Sequence, residues 1–247
     1  MDRLIFTAMT GAKHLLERQA VTANNLANAT TGGYRAETRA TRAAYVVSDT
    51  LPTRAYAVES TPGADFNPGA LEATGRTFDV AVQGKGWIAV EAPGGGEAYT
   101  RNGSLQVNEN RVLQTRTGLN VLGESGPITI PEDTEITIGA DGTISTVPTN
   151  NIRTSVSPIG RVKLVNPDEA LLERGADGLF RLRDGSTAEA DANVRLASGY
   201  LEASNVNVAE AMVDMIAIAR QFEMQMKLMQ TADADARQAA QLLAVSR

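Results

Sequence analysis

The feature that most constrains this chain is a heptad pattern near its C-terminal end. Stepping alternately by four and three from Val208 reaches Met212, Met215, Ala219, Phe222, Met226, Met229, Asp233, Ala236, Ala240 and Leu243. All but Asp233 are apolar, so residues 207–243 carry one sustained stripe. Neither Pro nor Gly interrupts it, and one long helix is predicted. Asn207 stands in N-cap position, with Glu210 three places on as in a capping box. Outside the stripe, Glu223 and Lys227 have favourable i,i+4 spacing. Such a helix spans roughly 55 Å, more than a domain of this size needs to close its own core. Burial along the stripe contributes on the order of 10–20 kcal/mol in gross terms. Ordering each residue costs about 1–2 kcal/mol. A helix touching one partner along so narrow a seam is marginal, so it needs partners on several sides.

Residues 3–27 read as a second amphipathic helix. Leu4, Ile5, Ala8, Met9, Ala12, Leu15, Leu16, Ala20, Ala23, Leu26 and Ala27 recur at helical spacing. Asn28, then Gly32 and Gly33, signal its end. Its many Ala side chains allow a partner helix to approach closely. From 35 to 77 no period is sustained, and Pro52, Pro62 and Pro68 break the run into extended segments and loops.

Short strands separated by turns follow, at 78–82, 87–91, 104–107, 111–115, 128–130, 135–138, 143–147, 160–165, 179–183 and 195–202. Gly94-Gly95-Gly96, Asn108-Glu109-Asn110, Asp141-Gly142 and Asp184-Gly185 supply turn chemistry between them. A small all-β barrel or sandwich is expected. The fold class is therefore α+β: long terminal helices pairing in a coiled-coil-like inner domain, around a central β domain. The divisions are 1–34, a linker 35–77, the β domain 78–202, and 203–247.

Composition narrows the function classes. A net charge of −6 without a dense Lys/Arg block argues against nucleic acid and anionic membrane surfaces as partners. Zero Cys removes disulfides and thiolate chemistry. No apolar run of about 18 residues is present, so no membrane insertion is expected. The N-terminal segment, with Asp2, Lys13 and Glu17 scattered through it, is not a secretory signal. Any export leaves it uncleaved.

Candidate chemistry is sparse. His14 is the only histidine and lies i,i+3 from Glu17, with no further ligands positioned for a metal. No Gly-x-Ser-x-Gly elbow supports a nucleophile. Gly84-Lys85-Gly86 lacks the flanking residues of a phosphate loop and reads as a β-turn. Glu132, Asp133 and Glu135 could serve as paired carboxylates of a glycosidase, but a solvated loop is the plainer reading. Two sequons, at Asn28 and Asn102, mean little without a secretory signal. Met212, Met215, Met224, Met226 and Met229 could form an adaptable binding face, although four of them already lie on the stripe.

Ala23-Asn24-Asn25-Leu26-Ala27-Asn28 followed by Thr30-Thr31-Gly32-Gly33-Tyr34 resembles the N-terminal signature of the bacterial flagellar rod and hook proteins. Leu201-Glu202-Ala203-Ser204-Asn205-Val206, Glu210-Ala211-Met212 and Arg220-Gln221-Phe222-Glu223 resemble that family's C-terminal signature. Phe78-Asp79-Val80-Ala81-Val82, Gly86-Trp87 and Tyr99-Thr100-Arg101-Asn102-Gly103 look like the start of its β domain. The opening nine residues, from Met1, and Ser60-Thr61-Pro62-Gly63-Ala64-Asp65 are most similar to proximal rod members. Tyr34 replaces the Phe that many relatives carry.

The resemblance implies a structural protein and no enzyme, with no cofactor. It implies a subunit of the proximal rod of the flagellar basal body that crosses the periplasm. Terminal helices would polymerise into a tube that passes exported subunits and transmits torque. Its partners would be itself, other proximal and distal rod proteins, and the flagellar type III export apparatus. The expected assembly interface comprises Leu4, Ile5, Met9, Leu15, Leu16, Asn25, Leu26, Asn28 and Tyr34 at one end. At the other are Val208, Met212, Met215, Phe222, Met226, Met229 and Leu243. A distal rod or hook protein, or an exported enzyme acting on the cell wall, are the alternatives.

Overall fold

The computed structural model describes residues 2–45, 55–59, 63–132, 134–148 and 156–245. Met1, Pro52, Ser60, Thr61, Pro62 and Asp133 lie outside the described residues, as do the side chains of Leu4 and Leu243. The architecture is α+β, with a long helix near each end of the chain and short strands between. Two compact units form. One collects Met1–Ala29, Glu37–Ala64 and Val206–Arg247; the other takes Thr30–Ala36 and Asp65–Asn205.

The first unit is built on α1 (Asp2–Ala27) and α2 (Val208–Val245). Asn207 caps α2 as its position suggests: its Oδ1 accepts from the amides of Ala209 at 3.1 Å and Glu210 at 3.3 Å. At the end of α1, the Asn28 amide is shared between the carbonyls of Asn24 and Asn25, both at 3.1 Å. Two short ladders lie in the same unit, where the sequence shows no period. Strand β1 (Glu37–Thr38) pairs with β4 (Gly63–Ala64), and β2 (Thr41–Tyr45) with β3 (Ala55–Glu59), both antiparallel. Thr, Arg and Ala dominate β2, so no alternating apolar face marks it; its ladder bonds hold it.

The second unit begins with β5 (Leu71–Ala73), β6 (Val80–Gln83), β7 (Trp87–Glu91) and β8 (Glu97–Thr100). Strands β9 (Leu105–Val107), β10 (Leu113–Thr115), β11 (Leu122–Gly123) and β12 (Gly126–Pro127) follow as two hairpins. Next come β13 (Thr134–Ile138), β14 (Thr143–Pro148), β15 (Ser157–Arg161) and β16 (Leu164–Val165). The unit closes with β17 (Leu172–Arg174), β18 (Phe180–Leu182), β19 (Arg195–Ser198) and β20 (Tyr200–Glu202). Its largest sheet has the order β16-β7-β8-β18-β17, and β13-β14-β15 form a second. The remaining ladders have two strands each, so short antiparallel pieces replace two continuous sheets.

One core joins these ladders: Val80, Val82, Ile88, Val90, Leu105, Leu113, Val121, Ile144, Leu164 and Leu196 are among its buried members. Strand β7 is buried from Trp87 to Val90, as its unbroken apolar run requires of a strand covered on both faces. The segment 128–130 is not a strand. Only Thr129 forms an isolated bridge, with Val112, while Ile128 and Ile130 plug the core. The turns fall where Asp-Gly pairs mark them, with Gly142 at φ 84° and Gly185 at φ 72°.

Candidate functional site

Helices α1 and α2 pack against each other in the first unit. Arg18 reaches Asp214 at 3.8 Å, while Gly11 lies beside Gln225. Sequence numbers therefore rise on one helix as they fall on the other, and the pair is antiparallel. A Cβ on Gly11 would lie 3.5 Å from Gln225 Nε2, so small residues do admit a close approach here. Ala8, Ala12 and Val21 of α1 are buried. On α2 the covered residues are Ala211, Asp214, Met215, Ile218, Ala219, Phe222, Gln225, Met229, Ala232, Ala236 and Ala239, with Ile218 only 1% exposed. The heptad period is the one read from the sequence, and Met215, Phe222, Met229 and Ala236 are common to both. The other column centres one residue earlier: Ile218 is buried beside the half-buried Ala219, and Ala232 is buried while Asp233 is exposed.

That offset leaves a second apolar face on the outside. Met212 is 51% exposed, Val213 66%, Ile216 57% and Met224 62%, with Val208, Met226 and Leu228 also exposed. Phe6, Met9 and Leu16 do the same on α1. Up to Leu228 these apolar residues share the outer side of α2 with Glu210, Arg220, Gln221, Glu223 and Lys227; beyond it the outer face carries Gln230, Asp233, Asp235, Arg237 and Gln238. Asp233 pairs with Arg237 at 2.7 Å on that solvated face. Exposed apolar patches of this kind mark interaction sites.

In the second unit the two terminal signatures meet. Arg35 Nη2 donates to Glu202 Oε1 at 2.6 Å, and Arg101 Nη1 to Glu202 Oε2 at 3.1 Å. The side chains of Arg35 and Glu202 are 0% exposed and that of Arg101 4%. Arg101 also donates to the carbonyls of Val82 at 3.2 Å and Gly84 at 2.6 Å, and lies 5.4 Å from the Trp87 ring centroid. Burial holds the Arg101 guanidinium below its ordinary pKa, with the Glu202 charge opposing that shift. Three residues past Glu202, Asn205 accepts the Ala36 amide at 2.7 Å and donates to the carbonyls of Asp65 at 2.8 Å and Asn67 at 3.0 Å.

Gly33 sits at φ 69° against Arg101, and its amide donates to the Glu202 carbonyl at 2.7 Å. Tyr34 is buried in the same unit, with Arg174 4.3 Å over its ring. Within the first unit, Asn25 bonds both backbone groups of Glu37, and Asn28 folds back on Asn24. Ile5, Leu15, Leu26, Met215, Phe222 and Met229 are half-buried; Met9, Leu16, Val208, Met212 and Met226 are exposed.

Sequence reasoning named Met224 within a possible binding face but missed Phe6, Val213 and Ile216 as outward apolar residues, and Arg35, Arg101, Glu202 and Asn205 as a clasp. The first group was legible as apolar positions left over once the stripe was drawn. The clasp had no local signal, because Arg35 and Glu202 lie far apart in the chain.

His14 hydrogen-bonds Glu17 at 3.1 Å. Lys85 pairs with Glu169 at 3.1 Å on a turn with Gly84 at φ 73°. Glu132 and Glu135 are exposed. No helix among the described residues is long and apolar enough to cross a membrane.

Three family descriptions match the chain. Residues 5–35 match "Flagella basal body rod protein", 81–147 "Flagellar hook protein FlgE/F/G D1 domain", and 197–242 "Flagellar basal body rod FlgEFG protein C-terminal". The chain is 50% identical over 252 residues to the flagellar basal-body rod protein FlgF of Escherichia coli (strain K12), covering 100% of both. Identity to the protein of the same name from Salmonella typhimurium is also 50%, over 100% of both chains. The flagellar basal-body rod protein FlgG of Bacillus subtilis is 30% identical, over 94% of this chain and 96% of its own.

Proposed function

This chain belongs to the flagellar basal-body rod protein family, as a structural protein of the rod, and we propose that it polymerises through its terminal helices into the proximal part of the rod. In that role it forms part of a hollow shaft that carries torque and passes exported subunits. The observation that carries this reading is the outward apolar face of the helix pair. Seven exposed side chains (Phe6, Met9, Leu16, Met212, Val213, Ile216 and Met224) stand on one unit. Covering each contributes about 1–2 kcal/mol, enough together to hold neighbouring subunits once association costs are met.

The inner, assembling part is 1–34 with 203–247, the helices continuing coiled-coil-like packing between subunits; 78–202 forms the outer layer, and 35–77 links them. The interface uses Leu4, Ile5, Met9, Leu15, Leu16, Leu26, Val208, Met212, Met215, Phe222, Met226, Met229 and Leu243, with Asn25, Asn28 and Tyr34 shaping its edge. Partners are further copies of the chain, the other proximal and distal rod proteins, and the flagellar type III export apparatus that delivers it to the periplasm. The higher identity to proteins named FlgF than to one named FlgG supports a proximal over a distal position.

Zero Cys makes the test direct. Single cysteines at Phe6 and Val213, introduced together, should form oxidised inter-subunit cross-links in purified basal bodies and none in the dilute free subunit. Basal bodies that contain the variant but show no cross-link would overturn the reading.

A further inference from the structure

In the second unit two buried guanidinium groups share one carboxylate. Arg35 and Arg101 both pair with Glu202, and Arg35 Nε, Arg35 Nη1 and Arg101 Nε have no hydrogen-bond partner among the described residues. Glu202 Oε1 also accepts the Gly69 amide at 2.9 Å, and a Cβ on Gly69 would lie 2.0 Å from the Ala203 carbonyl oxygen. Polar bonds that converge on Glu202 and Asn205 thus hold residues 33–36 and 65–70, beside the Phe66 ring, 6.0 Å from that of Trp87 and 5.7 Å from that of Phe180, and an Arg174 hydrogen bond to the Arg35 carbonyl at 3.1 Å. None of their side chains belongs to the main apolar core, whose buried members run from Val80 to Leu196.

We infer that Glu202 is the pin that closes this unit: residues 32–36 and 65–70 adopt their seen arrangement only once residues 200–205 are in place. Electrostatics gives the device its sharpness. With the carboxylate present, two attractions hold the trio; with it absent, Arg35 and Arg101 face each other as like charges out of water. The core strands have no such dependence and form without the pin. The shape of the N-terminal signature is therefore withheld until the C-terminal strand β20 arrives. Its consequence rests on the assembly reading: a polymer built from terminal segments would admit only complete chains.

The test is amide hydrogen exchange on the full-length free protein, comparing wild type with Glu202→Gln and, separately, Asn205→Ala. Glu202→Gln should speed exchange at Gly33 and Gly69 by about a hundredfold or more, leaving Ala89 and Val121 in the core unchanged. Asn205→Ala, which keeps the charges, should speed Ala36 and leave the core unchanged. Unchanged exchange at Gly33 and Gly69, or loss of protection throughout the unit in both variants, overturns the inference. Because the free chain is measured, either result leaves the rod reading to be judged by its own cross-linking test.

Discussion

Asn25 treats Glu37 as a neighbouring strand would: its Nδ2 donates to the Glu37 carbonyl at 2.9 Å while its Oδ1 accepts the Glu37 amide at 2.8 Å. The side-chain amide thus copies a peptide group and ties the end of α1 to the start of β1. Asn25→Ala should cost about 1–3 kcal/mol and raise exchange at the Glu37 amide. Asn25→Asp should cost at least as much, since it sets a carboxylate against the Glu37 carbonyl. An unchanged Glu37 amide in both variants would contradict this.

Gly33 and Gly75 share a left-handed backbone, at φ 69° and 71°, but not their surroundings. A Cβ on Gly33 would lie 2.3 Å from the Arg101 carbonyl carbon, whereas nothing lies within 4 Å of one on Gly75. Gly33→Ala should cost about 3 kcal/mol or more, combining strain and clash. Gly75→Ala should cost about 1 kcal/mol, from conformation alone. Thermal unfolding of the two variants, side by side, measures the difference.

Ile218 and Met212 separate the two faces of α2. Ile218→Ala should destabilise the free subunit by about 2–4 kcal/mol. Met212→Ala should change it by less than about 0.5 kcal/mol. Equal costs in urea unfolding would mean that the covered column has been misplaced.

Tyr99 gives the second unit an alkaline limit. Its hydroxyl accepts the Ala188 amide at 2.7 Å, and burial pushes the phenol up from 10.0 to about 12. Between those values the folded chain keeps a proton that the unfolded chain releases. Stability from this group is complete below pH 10 and falls as pH rises toward 12, by on the order of 2 kcal/mol. Tyr99→Phe should be less stable at neutral pH, having lost its acceptor for Ala188, yet show a flatter decline over that window. Parallel declines in the two proteins would refute the assignment.

Both long helices were legible because an apolar stripe, an Asn cap and a Gly-rich exit act locally. The heptad period was legible too, but its phase was not. Around Ile218, Ala219 and Phe222 several adjacent columns are apolar, and only the position of α1 decides which one turns inward. Strand β8 escaped notice because Glu97 and Thr100 flank its two buried residues, Ala98 and Tyr99, and its place in the sheet depends on β7 and β18. Strands β2 and β3 are five residues each and rich in Ala, too short and too small-sided for a period to stand out. The clasp of Arg35, Arg101 and Glu202 was invisible for a different reason: a long-range charge pairing has no period.

The outward face of α2 is tested most directly by Ile216→Asp, introduced as the only chromosomal copy. The substitution touches a half-exposed position, so the purified subunit should fold and melt like wild type. Isolated basal bodies should lack the variant, and the cells should not swim. Basal bodies carrying the variant at wild-type abundance, in swimming cells, would contradict it.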